Sequence, residues 1–283
     1  MFDSHCHLQD KRISERVDEV ISHARAAGVS RMLCCGSEAA DWADVARIGE
    51  AAGGAVVCAY GIHPWHAGSV DVKGIKNPKE VIVLDIIKAL NEIKKTGKTK
   101  CDWTIVLIGH LLTDTASVVG EIGLDHTVEP RNDDVQAEVF IHQLDAAKCC
   151  FRAVSIHCRN AWGDMMSILK DRGGLPHGGA LHSYSGPPDL VGQLEDMGCY
   201  ISFSGSILIP GNKRAVESLK RVSPGRLLVE TDSPDILPSG AAGPHNEPAN
   251  LPMVINKISE ILGEPPEKIA ELTHDNAVRL FCR

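Results

Sequence analysis

The first 35 residues, MFDSHCHLQDKRISERVDEVISHARAAGVSRMLCC (1–35), contain one complete strand, helix and strand. Positions 1–5 form a short strand, 12–27 an amphipathic stretch of helical length that stops at Gly28, and 30–35 a second apolar run. A strand, a crossover helix and a second strand make a parallel pair. The unit then repeats outward along the chain. A helix at 39–52 closes at Gly53-Gly54, and further strands follow at 55–61, 117–121, 153–157, 180–182, 200–203 and 227–230. Stretches with apolar residues at helical period lie between the later strands, at 133–150, 162–172, 188–197 and 213–221. Eight strands with crossover-length connections predict an α/β fold, a closed (β/α)8 TIM barrel, with an open doubly wound sheet as the alternative. Such barrels use roughly 250 residues, so the 283 residues are read as one domain, 1–283.

Composition agrees with a barrel. The chain is 43% hydrophobic but only 4% aromatic, which predicts an aliphatic core. The net charge of −8 argues against a passive duplex-binding module, because such binding is driven by basic residues releasing counterions. It leaves room for an enzyme that neutralises phosphates with bound metal. Ten cysteines include the adjacent pairs Cys34-Cys35 and Cys149-Cys150 and no C-x-x-C spacing, so reduced thiols are expected. Met1 leads directly into a polar, histidine-rich segment, and no apolar run approaches membrane-spanning length. The expectation is a cytoplasmic or nuclear protein with no membrane association and no stable protein partner.

One segment breaks the rhythm. About fifty residues separate His66 from the next strand, far beyond a usual connection. Residues 71–102 are read as a rim insertion with an amphipathic helix at 80–95 and a basic cluster of Lys94, Lys95, Lys98 and Lys100. Gly97-Lys98-Thr99 resembles part of a phosphate loop, but Glu92 stands where the first glycine belongs. From Leu251 onward the chain reads as two or three helices, one starting at Pro265-Pro266.

The strand ends carry the chemistry. On an extended segment, residues i and i+2 project to one side, so His5 and His7 can ligate one metal while Cys6 points away. The fourth strand runs into Glu121 and Asp125, the fifth ends at His157, the sixth at His182 and the eighth at Glu230-Thr231-Asp232. In a barrel these C-terminal ends converge on the face where active sites lie. Four imidazoles and two carboxylates suffice for two divalent ions if one carboxylate bridges them. His63, before Pro64 at the end of the third strand, and Arg159, just past His157, are candidates for contact with a substrate phosphate. Glu230 is either a neighbour of the site or a barrel-filling residue. His23, His66, His110, His142, His177 and His274 are assigned to the rim, to solvent or to structure.

These motifs together resemble the TatD family of metal-dependent deoxyribonucleases, in the amidohydrolase superfamily. They are FDSHCHL (2–8), GIHPWHA (61–67), GEIGLD (120–125), IHCRNA (156–161), LHSYSG (181–186), ISFSGS (201–206) and LLVETDSP (227–234), with NEP (246–248) and NAVRLF (276–281) following. They occur in family order along the whole chain, and only 71–102 has no counterpart. The resemblance implies that His5 and His7 hold one metal, His157 and His182 a second, and that Glu121 bridges both. It implies that Asp232 faces the first metal and the attacking water, where a carboxylate can serve as general base. Two positions depart from the pattern: His126 stands where the family has tyrosine, and Asn160 where aspartate is common.

The function expected is hydrolysis of DNA phosphodiesters, from a 3′ end or on single strands, with two divalent ions (Mg²⁺, Mn²⁺ or Zn²⁺). An amide, ester or lactone hydrolase of the same superfamily keeps the metals and changes the substrate. A scaffold with a dead site is the third alternative, opposed by the presence of all six predicted ligands.

Overall fold

A computed structural model describes residues 1–72, 78–81 and 103–282. Eight parallel strands pair in sequence order: β1 (Phe2–Cys6), β2 (Arg31–Cys35), β3 (Val56–Tyr60), β4 (Val118–Asp125), β5 (Val154–Arg159), β6 (Gly179–Leu181), β7 (Cys199–Phe203) and β8 (Leu227–Val229). The last strand returns to the first. A parallel bridge joins Cys6 to Ser233, the Asp232 N–H donates to the His5 carbonyl at 3.0 Å, and the His7 N–H donates to the Ser233 carbonyl at 2.7 Å. That closure excludes an open sheet and gives the (β/α)8 TIM barrel.

Among the described residues the helices are α1 (Val17–Ala26), α2 (Trp42–Ala51), α3 (Trp103–Thr113), α4 (Asp133–Cys149), α5 (Trp162–Asp171), α6 (Val191–Asp196), α7 (Lys213–Leu219), α8 (Leu251–Leu262) and α9 (Pro266–Phe281). Most fall inside the stretches that the sequence period marks. Helix α3 does not. Its sequence, WTIVLIGHLLT, is buried around nearly its whole circumference, so it has no polar face to reveal a helical period. The helix expected at 80–95, beyond its first two residues, lies outside the described residues, as do Lys94, Lys95, Lys98 and Lys100. What is described before it includes a short 3₁₀ turn, Pro78–Glu80.

Two apolar layers hold the barrel. Inside, Phe2, Leu33, Val57, Val118, Tyr200 and Leu228 pack together, and Ala277, Leu280 and Phe281 of α9 cover them at the N-terminal end of the strands. Outside, Cys6, Met32, Cys34, Ile122, Ile156 and Ile201 pack against the surrounding helices. With one end plugged by α9, the opposite end is free to carry a cleft. The nine described cysteines are all unpaired thiols. Among the described residues, no helix is long and apolar enough to cross a membrane.

Two strands depart from regular pairing, and both carry candidate ligands. Between β1 and β2, Asp3 pairs with Met32 but Cys6 pairs with Cys34; between β4 and β5, Val119 pairs with Val154 but Ile122 with Ile156. Each shift inserts one extra residue on the ligand-bearing strand. A bulge of this kind re-aims the neighbouring side chains, here His5 and Glu121.

Candidate metal centre

Glu121 stands at the middle of the C-terminal face, 3% exposed. Its two carboxylate oxygens face opposite groups. Oε2 lies 3.3 Å from His5 Nε2 and 3.4 Å from His7 Nε2. Oε1 lies 2.8 Å from His182 Nε2, 3.1 Å from His157 Nδ1 and 3.3 Å from His63 Nε2. Asp232 joins the first group, with Oδ1 3.8 Å from Nε2 of both His5 and His7. Three sets of ligand-capable atoms each gather within 4.8 Å: His5, His7 and Asp232; His5, Glu121 and His182; His63, Glu121 and His157. All six residues expected as ligands are therefore in one cluster.

Second partners orient the rings toward metal. His7 Nδ1 lies 2.8 Å from the Cys35 carbonyl, so that nitrogen carries the proton and Nε2 presents its lone pair to the cluster. His5 Nδ1 lies 3.0 Å from Ser155 Oγ, which leaves its Nε2 facing Glu121 and Asp232. His157 Nε2 lies 3.3 Å from Asp125 Oδ2, which turns Nδ1 inward. This donor set of imidazole nitrogens and carboxylate oxygens, with the outward nitrogens backed by carbonyl, hydroxyl or carboxylate groups, fits divalent metal.

Protonation follows the same division. Burial pushes His5 and His63 down to about 4, so both rings are neutral; His63 Nδ1 accepts the Trp65 N–H, which leaves its Nε2–H to face Glu121. Burial opposes a charge on His182 too, but the Glu121 carboxylate beside it raises it well above the ordinary imidazole value. For Glu121, burial alone favours the neutral acid, yet the surrounding histidines, His182 foremost, hold it well below the usual carboxylate range. Burial pushes Asp232 up to about 7 against the pull of His182.

His63 lies inside the cluster, nearer to Glu121 than a substrate-contact role alone requires. Arg159 is exposed and lines a cleft of about 920 Å³ that opens over the histidines. Among the described residues it makes no ion pair. Glu230 proves to be both site neighbour and barrel filler: it is fully buried, accepts the Ser183 N–H at 2.6 Å and lies 3.5 Å from His182 Nδ1. His66 is at the rim, 3.7 Å from Glu38.

Three residues of the site carry no signal in local spacing: Asp125, which backs His157 from within the GEIGLD motif, Trp65, whose indole N–H donates to Asp125 Oδ2 at 2.8 Å, and Asn246, fully buried, whose amide holds the loop after β8. The motifs containing them were the only available signal.

A family model described as TatD related DNase matches residues 2–282. The uncharacterized metal-dependent hydrolase YabD of Bacillus subtilis is 29% identical over 281 residues, covering 99% of this chain and 98% of its own. Deoxyribonuclease TATDN3 of Homo sapiens is 25% identical over 289 residues, covering 99% of this chain and 94% of its own. Among solved structures, the TatD homologue YJJV of Escherichia coli superposes with a TM-score of 0.79 at 23% identity, covering 100% of this chain and 98% of that one. That last likeness is one of fold.

Proposed function

This chain belongs to the family of TatD related DNases, and on that premise we propose that it is a metal-dependent hydrolase cutting DNA phosphodiester bonds at a dinuclear site. The observation that carries the proposal is the division of Glu121, one oxygen toward His5 and His7 and the other toward His157 and His182. A carboxylate so placed is the bridge that two neighbouring ions need. His5, His7 and Asp232 would hold the first ion, His157 and His182 the second, and Glu121 would serve both. The ions, magnesium, manganese or zinc, would lower the pKa of the attacking water and offset charge on the phosphoryl oxygens.

The protein's own groups supply the rest. Asp232 is the general base, a carboxylate that lines the cleft beside His5 and His7 and can accept a proton from the attacking water. Glu121 keeps its negative charge throughout, so it orients the histidines without competing for that proton. His63 and Arg159 contact the substrate phosphate, Arg159 through the fork of N–H donors that matches phosphate oxygens. The substrate is DNA attacked from a 3′ end or as a single strand, and the deoxyribonuclease name of the human relative supports that choice of substrate.

Elemental analysis of the purified protein, combined with cleavage assays on single-stranded and duplex DNA, tests the proposal. Two metal equivalents per chain and single-strand cleavage abolished by chelation are expected. One equivalent, or no cleavage with magnesium, manganese or zinc, overturns it.

A further inference from the structure

Two large aromatic side chains among the described residues line the cleft over the candidate metal centre and are unused by the proposed chemistry; Tyr184 is buried and Trp65 is open. Trp65 is 62% exposed, yet it is held in a single orientation. Its backbone N–H donates to His63 Nδ1 at 3.1 Å and its indole N–H to Asp125 Oδ2 at 2.8 Å. Its ring meets His63 edge-on, with centroids 4.8 Å apart. The preceding Pro64 is buried and starts the 3₁₀ turn Pro64–Ser69. The anchor is itself fixed: Asp125 is fully buried, and Thr127 donates to its other oxygen from its N–H at 2.9 Å and its hydroxyl at 2.6 Å.

Exposure alone would mean little, since single exposed apolar residues are ordinary. Phe151 is 75% exposed and does not line the cleft. Trp65 differs in three respects. It lines the cleft, its polar edge is already satisfied, and most of its ring is left open. A flat ring landing on it costs little side-chain freedom, because that freedom is already lost.

The position decides what the flat ring belongs to. Asp125, which anchors Trp65, backs His157 at 3.3 Å and pairs in register with Arg159 on β5. An aromatic face and an exposed guanidinium therefore flank one histidine of the metal centre. Arg12, by contrast, is spent on Asp10 and Asp235. A planar group joined to an anionic phosphate is the chemistry of a nucleotide unit. We infer that Trp65 stacks on a nucleobase beside the scissile phosphate, so that the site selects base-bearing strands over a bare sugar–phosphate chain. The inference rests on the proposed cleavage of DNA. It predicts little preference among bases, because every base has a π-face.

The test compares a single-stranded oligonucleotide with an abasic chain of the same length, using metal-loaded wild type, Trp65→Phe and Trp65→Ala. Stopped-flow mixing reads indole emission before turnover. The base-bearing strand should quench wild type, the abasic chain should not, and the quench should vanish in Trp65→Phe. An equal quench in both proteins overturns the inference. In steady state, wild type should show a KM for the base-bearing strand lower by about ten- to a hundredfold. That ratio should fall to near one in Trp65→Ala and largely persist in Trp65→Phe, which keeps a ring. If Trp65→Ala impaired both substrates equally and kept the ratio, Trp65 would act through Asp125 and stacking would be overturned. If wild type were quenched by the base-bearing strand but cut neither chain, stacking would stand and the nuclease function would fall.

Discussion

Asp232 takes φ +58°, the left-handed region that residues other than glycine seldom occupy. The turn comes just after β8 and is fastened by the Asp232 N–H donating to the His5 carbonyl at 3.0 Å. It sends Glu230 into the barrel beneath His182, while Asp232 faces His5 and His7. Strand alternation would have put both on one side, so the backbone conformation, not the two-residue spacing, separates their roles. Aspartate and asparagine tolerate this region better than most side chains, so Asp232→Asn should keep the fold while losing the charge and the proton acceptor. The expected fall in kcat is roughly 10²- to 10⁴-fold, with an unchanged far-ultraviolet circular dichroism spectrum. Activity within about tenfold of the parent would remove Asp232 from the role of base. His5, His7, His157 and His182 were legible from sequence because each ends a strand. Asp125 and Trp65 were not, since their importance lies in which neighbours they touch.

At the level of elements, the loop after β8 depends on one buried side chain. The Asn246 amide donates to the carbonyls of Thr231 at 2.8 Å, Asp235 at 2.9 Å and Ile236 at 3.1 Å. Ile236 is itself strained, a β-branched residue at φ +48°. Asn246→Ala leaves those carbonyls without their donor, and a lost buried partner costs about 1–3 kcal/mol. A lower urea midpoint and slower turnover are expected, because the same loop carries Asp232. An unchanged midpoint would show that water replaces the amide. Strand β4 makes a similar point. Gly123 has φ +142°, and a Cβ there would collide with the His157 backbone, so β4 and β5 approach closely only because this position is glycine. The apolar run places the fourth strand at 117–121, with Asp125 at the end of the motif that follows; the strand itself runs to Asp125, which is how Asp125 reaches His157. Helix α3 was missed because an all-apolar segment has no period to read.

Across the whole molecule, the two ends of the barrel do different work. The cluster of candidate metal ligands occupies one end, and α9 seals the other with Leu280 and Phe281 beneath Phe2, Val118 and Leu228. Phe281 is 2% exposed, and removing a buried phenylalanine side chain costs about 3–5 kcal/mol. Phe281→Ala should therefore lower the urea midpoint sharply while the folded protein binds the same number of metal equivalents. Loss of metal at denaturant concentrations where the variant is still folded would show that the two ends are coupled. Apart from α3, the order of the described strands and helices was legible in sequence, because burial of strands on both faces and of helices on one face leaves distinct patterns. So were the histidines and carboxylates at the strand ends, because parallel strands point the same ends to the same face. Their assembly was not legible. The bulges in β1 and β4, the left-handed turn at Asp232 and the return of β8 to β1 place His5, Glu121 and Asp232 together. Each depends on contacts between segments far apart in the chain, which no local spacing encodes.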